Sequence, residues 1–232
     1  MTTWFTSDLH LGHKNIIKYC RRPFAADVTK PTKAEILYMD EMLVDNWNSV
    51  VAKDDIVWNL GDAAFCCPAD HVWECLARLN GQHHLLAGNH DEVATVLWYQ
   101  QLAEPDGTLD CLASFREGHH MIVVEGQEIF LSHYANRQWL HAESGAWHLF
   151  GHTHGALRPF GKSVDVGVDN TYEVLSPGAK GGMPIFLGPG GLIAHQALYR
   201  PVSFEEVKAF MDKQPMGDHP MFSGAHVQGG TK

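Results

Sequence analysis

Basic residues are scarce in this chain. Lys and Arg number 17 against 27 Asp and Glu, a formal net charge of −10. A broad nucleic-acid-binding face needs clustered cations to meet the phosphate backbone, so that class is disfavoured. A small phosphorylated substrate stays compatible with the acidity, because bound cations invert the local field. Long apolar runs are lacking too, and no segment approaches the roughly 20 apolar residues of a membrane span. Met1 to Ser7 enters a strand directly, without a basic and apolar leader, which predicts a cytoplasmic protein that engages no membrane. The five cysteines, Cys20, Cys66, Cys67, Cys75 and Cys111, lack framework spacing. They read as free thiols in a reducing compartment. No internal repeat is found.

What is present reads as one folded domain. The chain has 232 residues, 45% hydrophobic and 19% charged, enough for a substantial core. Histidine is abundant, with 16 copies, and it clusters after strand-like runs. Thr3-Trp4-Phe5-Thr6-Ser7 runs into Asp8-Leu9-His10, and Ile56-Val57-Trp58-Asn59-Leu60 into Gly61-Asp62. Leu85-Leu86-Ala87 ends in Gly88-Asn89-His90-Asp91, Ile129-Phe130-Leu131-Ser132 in His133, and Trp147-His148-Leu149-Phe150 in Gly151-His152-Thr153-His154. Strands that deliver carboxylate, amide and imidazole groups from their carboxyl ends describe one site.

Between these runs the helices can be placed. A short one covers Ile16 to Cys20. Thr32 and Glu35 have capping-box spacing and open a longer one carrying Ile36, Leu37, Leu43, Val44 and Trp47. Pro68 opens a third, ended by Asn80-Gly81, and Glu92 to Leu102 form a fourth. The first half alternates strand and helix; the second half, with a hairpin around Glu125-Gly126-Gln127-Glu128, is expected to be largely antiparallel. The predicted architecture is α/β, two packed mixed sheets with helices outside. The domain spans 1–213. Within it, 170–198 is rich in Gly and Pro and reads as a loop or hairpin insertion, with Lys180 as a lid residue able to approach phosphate. Ser203 and Glu206 form a second capping box, and 214–232 reads as a flexible tail.

Asp8, His10, Asp62, Asn89, His133, His152 and His154 offer mixed oxygen and imidazole donors. Such a set suits transition metals better than Mg or Ca, and it is too large for one ion that also holds substrate. Two ions sharing a carboxylate would clamp the attacking and leaving oxygens of a phosphoryl displacement. His90 is left over as a catalytic acid or charge stabiliser. His13, Asn15 and Arg22, just after the first ligand run, are candidates for gripping substrate phosphate. His83-His84 and His119-His120 read as structural, Cys66-Cys67 as packing, and Trp4, Trp47, Trp58 and Trp73 as core.

Taken in order, the five motifs resemble those of the calcineurin-like metallophosphoesterase superfamily. The run Trp4 to Ile17, with Arg22-Pro23-Phe24 and Tyr199-Arg200-Pro201-Val202-Ser203, is similar to a small single-domain branch found in bacteria and their phages. The resemblance implies a four-layer α-β-β-α sandwich and two divalent ions, manganese first, with iron, zinc, nickel or cobalt as alternatives. One ion would take Asp8, His10, Asp62 and His154; the other Asp62, Asn89, His133 and His152, with Asp62 bridging. His90 matches the catalytic histidine, and Asp62 also counts among the catalytic residues. Ala63-Ala64-Phe65 replaces the Asp-Arg-Gly of the protein-phosphatase branch, which turns the expectation away from protein substrates. The expected activity is hydrolysis of a small phosphate ester by attack of metal-generated hydroxide, a nucleotide-like phosphodiester before a monoester or nucleotide. A nuclease or a non-catalytic binding module is a lesser alternative. Oligomerisation stays open.

Overall fold

β1 (Thr3–Thr6), β2 (Ile56–Asn59), β3 (Gln82–Leu86) and β4 (Ser114–Arg116) run parallel in a computed structural model that describes residues 1–91, 111–176 and 195–216. β9 (Val202–Ser203) adds an antiparallel edge, giving the order β4-β3-β2-β1-β9. Period-two alternation divides these strands between two cores. Trp4, Val57 and Leu85 face α2 (Lys33–Val50), whose Met39, Leu43, Val44 and Trp47 are buried against them, with α1 (Lys14–Tyr19) and α3 (Ala69–Leu76) alongside. Phe5, Trp58 and Leu86 face the second sheet, where they meet Ile129, Leu131, Leu149 and Val164.

The second sheet has the order β5-β6-β7-β8, from β5 (His119–Val124), β6 (Gln127–Ser132), β7 (Trp147–Phe150) and β8 (Ser163–Asp165). The turn of the β5–β6 hairpin is Glu125-Gly126, with φ of 50° and 83°, as a primed two-residue turn requires. Beyond that hairpin the expectation of antiparallel pairing fails: β6–β7 and β7–β8 are parallel. Residues 133–146 and 151–162 supply connections long enough to bring each chain back to the same edge. All four residues of β7 are buried, the uninterrupted burial that a central parallel strand shows. The described residues therefore form two mixed sheets flanked by helices.

Both capping boxes form. Thr32 Oγ1 accepts from Glu35 N at 3.3 Å and Glu35 Oε2 accepts from Thr32 N at 2.8 Å. Ser203 and Glu206 do the same ahead of α5 (Phe204–Met211). The stretch read as a loop insertion begins instead with a short helix, α4 (Thr171–Leu175), because Thr171 and Val174 are buried. The expected helix over Glu92 to Leu102, and Lys180, lie outside the described residues. So does most of the expected tail, although Lys162 Nζ ties Gln214 O at 2.9 Å. Among the described residues, no helix is long and apolar enough to cross a membrane.

Candidate metal centre

The strands of both sheets end at a common edge, and their loops are stitched together by the backbone. Asp8 N donates to Gly61 O at 2.9 Å, His10 N to Asp62 O at 3.0 Å, and Gly151 N to His133 O at 3.0 Å. Asp8, His10, Asp62, His152 and His154 all have left-handed φ, from 49° to 66°. Such conformations are costly for non-glycine residues and collect where function requires them. Gly88 is needed for close approach: a Cβ there would overlap the Asp62 carboxylate.

These turns bring the seven donor residues into one cluster. Asp62 Oδ2 lies 3.5 Å from His10 Nε2 and 3.5 Å from His133 Nε2. On one side of it Asp8, His10 and His154 converge, with Asp8 Oδ1 4.0 Å from His10 Nε2. On the other, Asn89 Oδ1 is 2.8 Å from His133 Nε2 and 2.6 Å from His152 Nδ1. Asp8, His10, Asp62 and His133 are buried, whereas Asn89 and His152 are exposed, so the cluster opens to solvent at one end.

Asp8, His10 and His154, and Asp8, Asp62 and His133, are groups whose donor atoms could hold a divalent metal ion. Asp8 Oδ1 and both ring nitrogens of His10 are buried without a hydrogen-bond partner. Left so, they are expensive, and a cation would satisfy Asp8 Oδ1 and the His10 Nε2 that faces it. Burial pushes the Asp8 carboxyl well up and the His10 and His133 imidazoles down. The imidazoles are thus held in the neutral form that a metal binds, and a cation would restore the charge that burial takes from Asp8. His133 Nδ1 is spent on Leu60 O at 2.8 Å, which leaves Nε2 facing Asp62.

Around the donors lies a set of restraints. Asp165 pins the Gly151–Gly155 turn, accepting from Thr153 Oγ1 at 2.5 Å and Gly155 N at 2.9 Å. Asp91 Oδ2 accepts from Gly88 N at 2.5 Å and Asp62 N at 3.3 Å, and burial lifts its carboxyl to about 6. His90 is half-buried, with its backbone N on Asp62 Oδ1 at 2.9 Å. Its ring lies 4.2 Å from Phe65 and 5.3 Å from His10, centroid to centroid.

Arg22 overturns the expectation placed on it. It is fully buried and does not face the cluster opening. Nε donates to Asp169 Oδ1 at 2.9 Å, Nη2 to Asp169 Oδ2 at 2.8 Å and Asp8 O at 2.6 Å, and Nη1 to Leu9 O at 2.8 Å and Met39 Sδ at 3.7 Å. That uses all five guanidinium N–H groups and leaves none for a phosphate. Asp169 Oδ2 also takes His154 Nδ1 at 2.7 Å. Burial opposes the charged imidazole of His154, but Asp169, Cys20 and Asp8 carry it up to about 11. Arg22 and Asp169 thus clamp the Asp8–Leu9 backbone and the His154 ring together.

His13 and Asn15 do stand beside the cluster, lining a pocket with Phe65 and His90. His83 is buried edge-to-face with Trp47, and His84 and His120 each stack on the Trp58 ring, at 4.5 and 5.1 Å, as structural residues do. Trp47 and Trp58 are core, while Trp4 and Trp73 are only partly buried. Cys66 is exposed, so only Cys67 of that pair packs, against Gly12. Asp169, Asp165 and Phe65 were absent from the sequence expectations as site residues. Asp169 follows the strand-like Val164 to Val168, the same signal that marked the other loops.

No family model matches the sequence. Among curated proteins, the chain is 30% identical over 174 residues to the uncharacterized protein MJ1445 of Methanocaldococcus jannaschii, covering 72% of this chain and 81% of that one. Among solved structures, the protein of unknown function AQ665 from Aquifex aeolicus shares the fold, with a TM-score of 0.57 at 16% identity over 90% of this chain and 98% of its own. An archaeal phosphodiesterase aligns at a TM-score of 0.40 and 17% identity, over 72% of this chain and 84% of its own.

Proposed function

This chain belongs to the same family as MJ1445 of Methanocaldococcus jannaschii, and we propose that it is a dinuclear metal-dependent phosphoesterase acting on a small, nucleotide-like phosphodiester. One oxygen carries the reading. Asp62 Oδ2 sits 3.5 Å from an imidazole nitrogen on each side, so its carboxylate would be available to an ion held on either side. Asp8, His10, Asp62 and His154 would hold one ion, and Asp62, Asn89, His133 and His152 the other. A pair of divalent ions, manganese foremost, would supply Lewis-acid polarisation of the phosphoryl group and water activation near neutral pH when bound there.

The remaining work falls to the chain. The buried wing, Asp8, His10, Asp62 and His133, keeps its donors dry and fixed. The exposed wing, Asn89 and His152, leaves the phosphoryl group a way in from solvent. His90 stands beside the buried wing, with a ring nitrogen close to His10 and Asp62. Its backbone is anchored to Asp62 and its ring is braced by Phe65. There it can give a proton to the departing ester oxygen, or steady the charge that builds on it.

The test is a panel of mono- and diesters, nucleotides and cyclic dinucleotides given to the metal-loaded protein, together with His90→Ala. Wild type is expected to favour a diester. The variant should lose about 10²–10⁴ in turnover on a poor leaving group, with metal content retained. An unchanged rate would refute the role of His90, and a chain inert to every ester would refute the activity.

A further inference from the structure

Beside the His10 and His154 wing the surface falls into a pocket of about 260 Å³. It shares His10, His90 and His154 with the cluster and adds apolar residues to them. Ile16 and Tyr19 of α1 and Phe65, from the loop after Asp62, are its apolar lining together with Cys20. Tyr19 is 68% exposed, a large ring left in solvent. Phe65 is half-buried, its ring 4.8 Å from His13 and 4.2 Å from His90. His10, His90 and His154 of the cluster form its inner side, and two further polar groups lie among the apolar ones: Asn15, and His13, whose Nδ1 is buried with no hydrogen-bond partner.

Aromatic walls with a few polar atoms are the make-up of a site for a flat ring that carries donors and acceptors. A simple alkyl ester would leave both kinds of group unused. The size sets the scale as well. Pockets that enclose a drug-sized ligand run to roughly 300–1,000 Å³, so this one takes a single ring system and not a polymer. The side of the reaction follows from His90, which borders the pocket. An alcohol departing into it is the one whose oxygen His90 can reach.

We infer that this pocket receives the base of a leaving nucleoside, a flat nitrogen heterocycle whose sugar hydroxyl is the departing oxygen, with Tyr19 and Phe65 to stack on it and His13 and Asn15 to hydrogen-bond its edge. The inference rests on the phosphoesterase reading above. In the net reaction water gives its hydroxyl to phosphorus, the phosphorus–oxygen bond to the leaving group breaks, and the proton goes to the departing oxygen.

Adenosine monophosphate and ribose phosphate differ only in the base, so their inhibition constants against bis-nitrophenyl phosphate isolate the ring. On the manganese-loaded wild type the nucleotide should inhibit about tenfold or more tightly than the sugar phosphate, the worth of one stacked base. Tyr19→Ala and Phe65→Ala should each bring the ratio towards one by weakening the nucleotide, and Tyr19→Phe should keep it. A protein that holds metal and hydrolyses esters but shows equal constants overturns the pocket assignment alone, as does a wild-type ratio that survives both alanines. A chain that takes up no metal and cleaves no ester overturns the phosphoesterase reading, and the pocket assignment with it.

Discussion

Asp169→Asn changes one charge inside an enclosed pair and alters little in volume. The carboxylate accepts from Arg22 Nε at 2.9 Å, Arg22 Nη2 at 2.8 Å and His154 Nδ1 at 2.7 Å. An amide keeps one acceptor oxygen and sets N–H donors against groups that already donate. Arg22, fully buried, is then left without a counter-charge. Breaking a buried pair from one side costs about 3–5 kcal/mol. Against the roughly 5–15 kcal/mol of a typical domain, the variant folds with a clearly lowered melting temperature. The second effect is local. His154 loses the acceptor that fixes its Nδ1–H and leaves Nε2 for the Asp8 and His10 side. Removing such support weakens metal binding by about 10–100-fold, or about 1.4–2.7 kcal/mol. It should fall on one ion, because Asp169 is not hydrogen-bonded to Asn89, His133 or His152. Calorimetric titration with manganese below the melting temperature reads both constants, and the ¹⁵N shifts of the His154 ring report its tautomer. One weakened constant beside one retained, with a changed His154 signal, is expected. Two constants falling in step with stability, or two unchanged, would refute the positioning role of Asp169.

Acid should destabilise the fold through two histidines remote from the cluster. His83 and His148 are buried, and burial brings both imidazoles down to about 3 from 6.5. The unfolded chain binds protons that the folded state excludes, so stability is complete above 6.5 and falls as the pH drops toward 3. Each accounts for about 2 kcal/mol of loss by about pH 5. Urea unfolding of wild type and His83→Phe at about pH 7 and about pH 5 should show a smaller loss in the variant, and equal slopes would refute it. Gly88→Ala should abolish metal uptake while circular dichroism keeps the native helix and strand signal, since its Cβ would occupy the Asp62 carboxylate. Full metal content in that variant would count against the placement of Asp62. Thr32→Ala should cost about 0.5–2 kcal/mol by loss of its cap and leave metal affinity alone, which denaturation and titration together check.

The loops were legible because each is announced locally, by an apolar run that stops at a carboxylate, amide or imidazole. The helix starts at Thr32 and Ser203 were legible for the same reason, since a capping box is contained in four residues. What failed depended on distance along the chain. Arg22 after the first motif looks like an exposed phosphate grip. Its burial is set by Asp169, 147 positions away, and no spacing rule connects the two. Strand direction in the second half failed for another reason. Trp147 to Phe150 is apolar enough for a strand of either sense, and only the course of 133–146 and 151–162 decides that β7 runs parallel to both neighbours.

Metal stoichiometry tests the shared carboxylate most directly. Purified chain is stripped with chelator, reconstituted with manganese, freed of excess and measured by elemental analysis, alongside Asp62→Asn treated identically. Two ions per chain are expected in the wild type, with both sites weakened together in Asp62→Asn, because Asp62 Oδ2 faces His10 on one side and His133 on the other. A wild type that retains no ion, or an Asp62→Asn protein that binds both as before, would contradict the dinuclear centre.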